Sequence, residues 1–438
     1  MMACNGVASF SRQCGQDLQL LGTTLMPSIT KMLAQHIEEA AFLGLLRSIA
    51  VRQPHYDLNH LSTLDNRIEA HLDGLRIAGP VAIETLLEQL NPNAQGEIFV
   101  ATVLAFETAN TSAMTRLAEH LRAHPDGARY MSAALGWLEW SRVEPWVQKL
   151  LGSPEALFRC IGLAACGMHR RDPGAALIAG LAHADAAVIA QSARTAGELR
   201  RRDLLPTIRA HRLHPDQGAR FWANWATSQM GDEEALPLLR QFAEQAVAFQ
   251  HRALPVLLAW QPRDTSIAWI RQAMQQPQQR RLVIQAVGLL GDPVSIPWLI
   301  QQMRDIPNAR VAGEAFSLIS GADLALLDLE LRDTPDYDAG PNDDPADANV
   351  ALDEDENLPW PDPDLIEAWW QREKDAYQNG KGYFLGQPIS EQGYRQALVK
   401  AQQRQRQVAA YGLARFRPTE VLFPVAAPAW RQRALLNA

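Results

Sequence analysis

Leu282-Val-Ile-Gln-Ala-Val-Gly-Leu-Leu-Gly-Asp-Pro-Val-Ser-Ile-Pro-Trp-Leu-Ile-Gln-Gln-Met303 holds two short apolar stripes on either side of Gly291-Asp292-Pro293. Leu282, Val283, Ala286, Val287 and Leu290 recur at the three-and-four spacing that lines one face of an α-helix. Ile296, Leu299, Ile300 and Met303 repeat the pattern after the break. Glycine closes a helix by turning left-handed without a Cβ clash, and Asp-Pro opens the next one. The stretch reads as helix, tight turn, helix.

Outward from it the same punctuation recurs. Glycines stand at Gly136, Gly167, Gly197, Gly231, Gly291 and Gly321, and Gln261 fills the same place between Trp260 and Pro262. The intervals are 31, 30, 34, 30, 30 and 30 residues. Apolar segments precede each glycine, so all are expected to occupy the helix-ending turn, with a longer loop in the 34-residue interval. Pro255, inside a second helix, is expected to kink it. Neither helix of a hairpin buries its stripe alone, whereas stacked hairpins bury them mutually along a one-dimensional core with a long concave face. The expected fold class is an all-α solenoid of about seven hairpins.

The units resemble HEAT-like repeats of the phycobilisome-lyase type, which typically end in Ala-Leu-Gly-Asp, as Leu290-Gly291-Asp292 and Met230-Gly231-Asp232 do. The resemblance covers about Phe106 to Gly321 and implies a scaffold, an adaptor or, occasionally, an enzyme.

Flanking the array (96–325), residues 1–30 read as an extension and 31–95 as a helical cap. Residues 326–364 are an acidic linker, because Asp333 to Asp364 holds twelve acidic residues and no basic one. Residues 365–438 form a mostly helical module, with a short strand expected at Val421-Leu-Phe423. From Gly393 onward this module carries eight basic residues against Glu420 alone. The acidic linker is thereby expected to be able to fold back on the basic module and mask it.

The order of parts is also similar to an uncharacterised proteobacterial family whose genes often accompany type VI secretion effector modules. That likeness is carried by Glu69-Ala-His-Leu-Asp-Gly-Leu-Arg76, by Leu358-Pro-Trp-Pro-Asp-Pro363 with Trp369-Trp370, and by Leu422-Phe423 and Ala427-Pro-Ala-Trp-Arg-Gln432. It implies an accessory role whose partner is a secreted effector or its carrier.

Charge and composition narrow the function. Net charge is −8, and without the acidic stretch the balance is 41 basic against 37 acidic residues, which gives no electrostatic footprint for nucleic acid. No run reaches the eighteen or so apolar residues of a membrane span, and the first thirty residues lack a signal-peptide pattern, so a cytoplasmic chain without membrane insertion is expected. Cys4, Cys14, Cys160 and Cys166 match no zinc spacing.

His124 and His214 each begin His-Pro-Asp, and their separation of three repeats marks both as hairpin turns. His120 with His124 and His211 with His214 read as loop histidines, since no further ligand recurs beside them. Asp336, Asp338, Gly340 and Asn342 lack the order of a calcium loop. The twelve tryptophans, Trp137 with Trp140 and Trp222 with Trp225 among them, read mainly as core. No nucleophile elbow, phosphate loop or dinucleotide fingerprint appears, and neither cofactor nor metal is expected.

One feature points to a partner. Arg170-Arg171 and Arg200-Arg201-Arg202 each begin three residues after a turn glycine, so successive repeats are expected to set five cations along one edge to grip an acidic surface. The functional expectation is a non-catalytic protein-binding scaffold, an adaptor or chaperone for a secreted effector, with an immunity protein as a close variant. A HEAT-like enzyme such as a bilin lyase or DNA glycosylase is the competing class, and near-neutral charge speaks against the glycosylase.

Overall fold

Short polar side chains start many of the helices by accepting a bond from the first exposed amides, as Asn110 does from Ala113, Asp185 from Ala187, Asp216 from Ala219 and Ser390 from Gly393. The computed structural model describes residues 30–245, 247–337, 340 and 353–437. It is an all-α, solenoid-type architecture; among the described residues the only paired strands are Tyr383–Phe384 and Gln387–Pro388. None of these helices is long and apolar enough to cross a membrane. The expected extension 1–30 lies, except for Thr30, outside the described residues.

The chain divides into two compact units, one of residues 30–48 and 63–145, the other of 49–62 and 146–437. In the first, Gln95–Glu107 packs against Pro80–Gln89, Thr111–Ala123 and Ala128–Trp137. With Pro80–Gln89 it forms a further hairpin, whose first helix lies in the stretch expected to be a cap. Gln95–Glu107 is buried almost throughout, and Gly96 lets it approach the backbone of Ala41.

The second unit stacks five complete hairpins. Their first helices are Ala175–Leu181, Leu205–Arg209, Leu236–Gln245, Arg263–Ala273 and Ile296–Gln302. Their second helices are Ala186–Leu199, Gln217–Gln229, Val247–Trp260, Arg280–Leu290 and Ile306–Ser320, preceded by Ala156–His169, and each of these packs on the next. Pro255 lies inside Val247–Trp260, which continues through it to Trp260. Fully buried Leu, Ile, Val and Phe side chains from both helices of each hairpin form the expected one-dimensional core, each worth about 1.5–3 kcal/mol of transfer free energy.

The register of the helix ends differs from the sequence expectation. Gly231, Gly291 and Gly321 do turn left-handed, with φ of 87°, 71° and 73°. Gly136, Gly167 and Gly197 instead lie inside helices, and in the second unit the left-handed residues are Arg170 and Arg200, with φ of 54° and 55°. In the true register, 170, 200, 231, 261, 291 and 321, the steps are 30 or 31 residues, and the 34-residue interval disappears. Gly197 has a packing role: a Cβ there would stand 2.7 Å from the Trp225 ring and 2.9 Å from the Ala226 methyl. Gly288 meets Ala315 in the same way, at 2.8 Å.

Residues 365–437 belong to the same unit as the repeats. Residues 377–386 meet the helix ends near 320 and 291, and later residues meet earlier helix ends. Tyr377 Oη donates to Ser320 O at 2.9 Å, Leu385 N to Leu318 O at 2.8 Å and Tyr383 N to Gly291 O at 2.8 Å. Arg415 then reaches Ala259 O, and Leu422 N donates to Glu198 O at 2.9 Å. Leu422 is the centre of the expected strand, but with no neighbouring strand beside it Val421–Phe423 bonds to a helix end instead. The module also has a small core of its own, where the fully buried Arg406 donates to Leu398 O, Gln403 and Gln432.

The acidic stretch is anchored where it is described. Asp355, 4% exposed, takes a bidentate bond from Arg281 at 2.6 and 2.8 Å, and Asp353 accepts from Arg310. Leu331 N donates to Trp360 O, and Asp362 N to Leu329 O. These acids are bound mainly by repeat arginines; Arg404 of the basic module donates to Glu314 and to the Glu354 backbone. Of the calcium-like quartet, Asp338 and Asn342 lie outside the described residues.

Candidate protein-binding surface

The left-handed turn places the five register arginines in different surroundings. Arg170 and Arg200 have left-handed backbones, which cost a side-chain-bearing residue about 1 kcal/mol relative to glycine. What the side chains gain explains their presence. Arg170 Nε donates to Leu422 O at 2.6 Å, its Nη1 to Gly167 O, and it lies 3.3 Å from Glu198. Arg200, 5% exposed, donates to Ala414 O, to Arg417 O at 2.8 Å and to Gln229 O at 2.9 Å. Burial, with Arg202 nearby, pulls its pKa down to about 10, still well above neutrality.

The expected row of five outward cations is therefore not formed. Arg170 and Arg200 point into the seam with residues 414–422 and staple it by its carbonyls. Arg201 is held between Asp172 and Asp203, at 2.6 Å from each. Arg171 and Arg202 are exposed. The basic C-terminal residues are similarly engaged: Arg395 and Arg417 bond Glu391, Arg404 bonds Glu314, and Arg433 bonds Ser62 and Asn59.

A second group of cations escaped the sequence reading because it comes from distant segments. Trp222, half-buried, has the guanidinium of Arg194 4.8 Å from its ring centroid and that of Arg252 5.8 Å away. Edge-on contacts with Trp225 at 5.1 Å and Phe221 at 5.0 Å fix the ring. Arg52, exposed, adds a third charge felt by both Arg252 and His251. Burial first, then Arg194 and Arg52, pulls Arg252 down to about 10. Glu198 is the acid nearest the group, and Arg170 and Arg194 already share it. The only hint in sequence is that Arg194 and Arg252 lie on the second helices either side of the one carrying Trp222.

The remaining motifs fall where the repeat puts them. Asp216 caps its helix, whereas Pro125–Gly127 makes a 3-10 turn without a side-chain cap. The paired histidines have ring centroids 4.8 Å (His120 and His124) and 6.0 Å (His211 and His214) apart, and no group of three or more His, Cys, Asp or Glu among the described residues is arranged for a metal. All twelve tryptophans are buried or half-buried. Burial and then Asp185 push the Cys160 thiol up to about 11, and Cys166 is buried, while Cys4 and Cys14 lie outside the described residues.

Residues 174–254 match a protein-family profile described as HEAT repeats. That segment of the chain is made of HEAT-like repeats. The matched segment runs from the start of Ala175–Leu181 into Val247–Trp260 and thus contains Arg194, Trp222 and Arg252. Neither the curated proteins nor the solved structures gave a match. Arrays of HEAT repeats serve in general as surfaces for protein–protein binding.

Proposed function

We propose that this chain is a protein-binding scaffold. The observation that carries the reading is that the repeats already hold a long polypeptide segment in cis: helix ends accept bonds from the backbone amides of Tyr383, Leu385, Gly386 and Leu422 and from the side chains of Tyr377 and Arg415. Stacked helix termini present rows of unpaired carbonyls and side-chain donors, a chemistry suited to reading extended peptide. A protein partner engages the surfaces left open beside that segment, among them Arg171 and Arg202, while Arg170 and Arg200 keep the surface in shape.

The finer role, loading adaptor or chaperone for a type VI secretion effector or its carrier, is supported by the resemblance in Leu358–Pro363, Trp369-Trp370 and Ala427–Gln432. An immunity protein engaging a toxin is its variant. Affinity purification of the full chain from its native cells, with cross-linking and mass spectrometry, tests the scaffold. A cross-linked partner mapping to the second unit is expected, and a clean monomer with no cross-linked partner overturns the reading. Neutralisation of a co-expressed toxin identifies the immunity variant.

A further inference from the structure

We infer that the cluster of Arg52, Arg194 and Arg252 around Trp222 is a docking site for an acidic peptide segment of a protein partner. The inference rests on the scaffold reading and names the chemistry of what the scaffold takes. It begins from an electrostatic imbalance. Among the described residues no carboxylate lies within ion-pair distance of Arg252 or Arg52, although ion pairs engage many other arginines of the second unit. Arg194 has one, and it shares Glu198 with Arg170. A half-buried guanidinium crowded by like charges is unfavourable by itself, and an added carboxylate relieves it.

The geometry selects what relieves it. Arg252 offers a fork of five N–H donors, none used by a hydrogen bond within the described residues. Beside it the face of Trp222 is pinned by Phe221 and Trp225, so it meets an apolar group without losing rotamer freedom. Arginine and tryptophan together are the residue types that concentrate binding energy at protein interfaces. The site is local, one aromatic plate with three cations, and the chain outside its acidic stretch is nearly neutral. A nucleic acid needs a continuing row of cations to track its phosphates, whereas one or two Asp or Glu with an adjoining apolar side chain fit this footprint.

His251, next to Arg252, does not alter the sign of the site near neutrality, because loss of solvent around its ring, then Arg252 and Arg52, disfavours its protonation. Tyr411 lies on the inner side, where its phenol is buried and its pKa raised by that burial, so it adds no negative charge. The charge offered outward is therefore carried by the three arginines.

The test is fluorescence anisotropy of the full chain with a fluorescein-labelled glutamate-rich peptide carrying interspersed phenylalanines, beside a labelled poly-dT oligonucleotide. Saturable peptide binding that weakens with salt is expected, with Arg252→Gln and Trp222→Leu each weakening it about tenfold or more. The exposed Arg372→Gln, on Pro363–Glu373, should leave it unchanged. Absence of saturable peptide binding, or equal binding by the variants, overturns the inference, as does tighter binding of the oligonucleotide that depends on Arg252. Circular dichroism checks the fold; if Arg252→Gln does not fold, the exposed Arg52→Gln takes its place with the same expected direction. Cross-linked partners retained by a variant that no longer binds the peptide would sink this site and leave the scaffold standing.

Discussion

Arg170 Nε donates to the carbonyl oxygen of Leu422 at 2.6 Å, across 252 residues of sequence. With Arg200 bonded to the carbonyls of Ala414, Arg417 and Gln229, it turns two left-handed helix ends into clamps on the later chain. Replacing Arg200 by Met keeps the bulk of the side chain but leaves three buried carbonyls without their donor. The expected loss is about 3 kcal/mol in urea unfolding. The exposed Arg171→Ala and Arg202→Ala should each stay within about 0.5 kcal/mol of the parent.

Two glycine roles separate experimentally. Gly197→Ala places a methyl against the Trp225 ring and Ala226 between neighbouring helices, and about 1–3 kcal/mol of stability should be lost to overpacking. Gly174→Ala meets open space, but its φ of 62° with ψ of −127° is backbone reserved for glycine, so a strain penalty of about 1–3 kcal/mol is expected without any packing clash. Gly197→Ser should therefore be worse than Gly197→Ala, whereas Gly174→Ser should match Gly174→Ala, as read from thermal melts.

Asp355 is the described acid most firmly tied to the repeats. Its bonds hold the Arg281 guanidinium more strongly protonated than an ordinary arginine. Asp355→Asn should cost about 2 kcal/mol, discounted because Arg281 is partly exposed, and should speed proteolysis near residue 355. The neighbouring exposed Asp→Asn equivalent, Glu356→Gln, should change neither readout.

His251 predicts an acid-side effect. Loss of solvent around the ring, then Arg252 and Arg52, holds its folded pKa down to about 4, although the residue as a whole reaches solvent. The neutral form favours the fold, so this contribution is present above the unfolded value of about 6.5 and is lost as pH falls towards 4. Between those values the parent should lose more stability on acidification than His251→Gln, as read from urea midpoints. Equal pH slopes for the two chains would remove the basis for this assignment.

The hairpin architecture was legible because stripes such as Leu282, Val283, Ala286, Val287 and Leu290 are local and periodic. The helix ends at 170 and 200 were misplaced by three residues because arginine occupies the position that glycine marks elsewhere, while Gly167 and Gly197 serve tight packing inside the helices. That same offset made the five arginines look like an outward row. The docking of Leu422 and the Trp222 cluster left no periodic trace, since each joins segments far apart in sequence.

Residues that carried the resemblance to the secretion-associated family also mark seams. Trp137 Nε1 donates to Glu69 at 2.6 Å, Arg310 stacks on Trp360 at 4.5 Å, and Gln432 is fully buried against Arg406 and the carbonyls of Val425 and Ala427. Their chemistry is that of assembly within the chain.

In an open row of hairpins each unit answers only to its neighbours, and the row frays from its ends. The return path from Tyr377 to Leu422 ties helix ends four repeats apart to one continuous segment, and Gln403 within it and Arg433 beyond it bond residues 51–62. Melting a middle hairpin therefore also strips contacts from the returning segment that its distant neighbours share. The second unit is therefore expected to act as a laced structure, with slow amide exchange spread across its length and unfolding in one step rather than link by link.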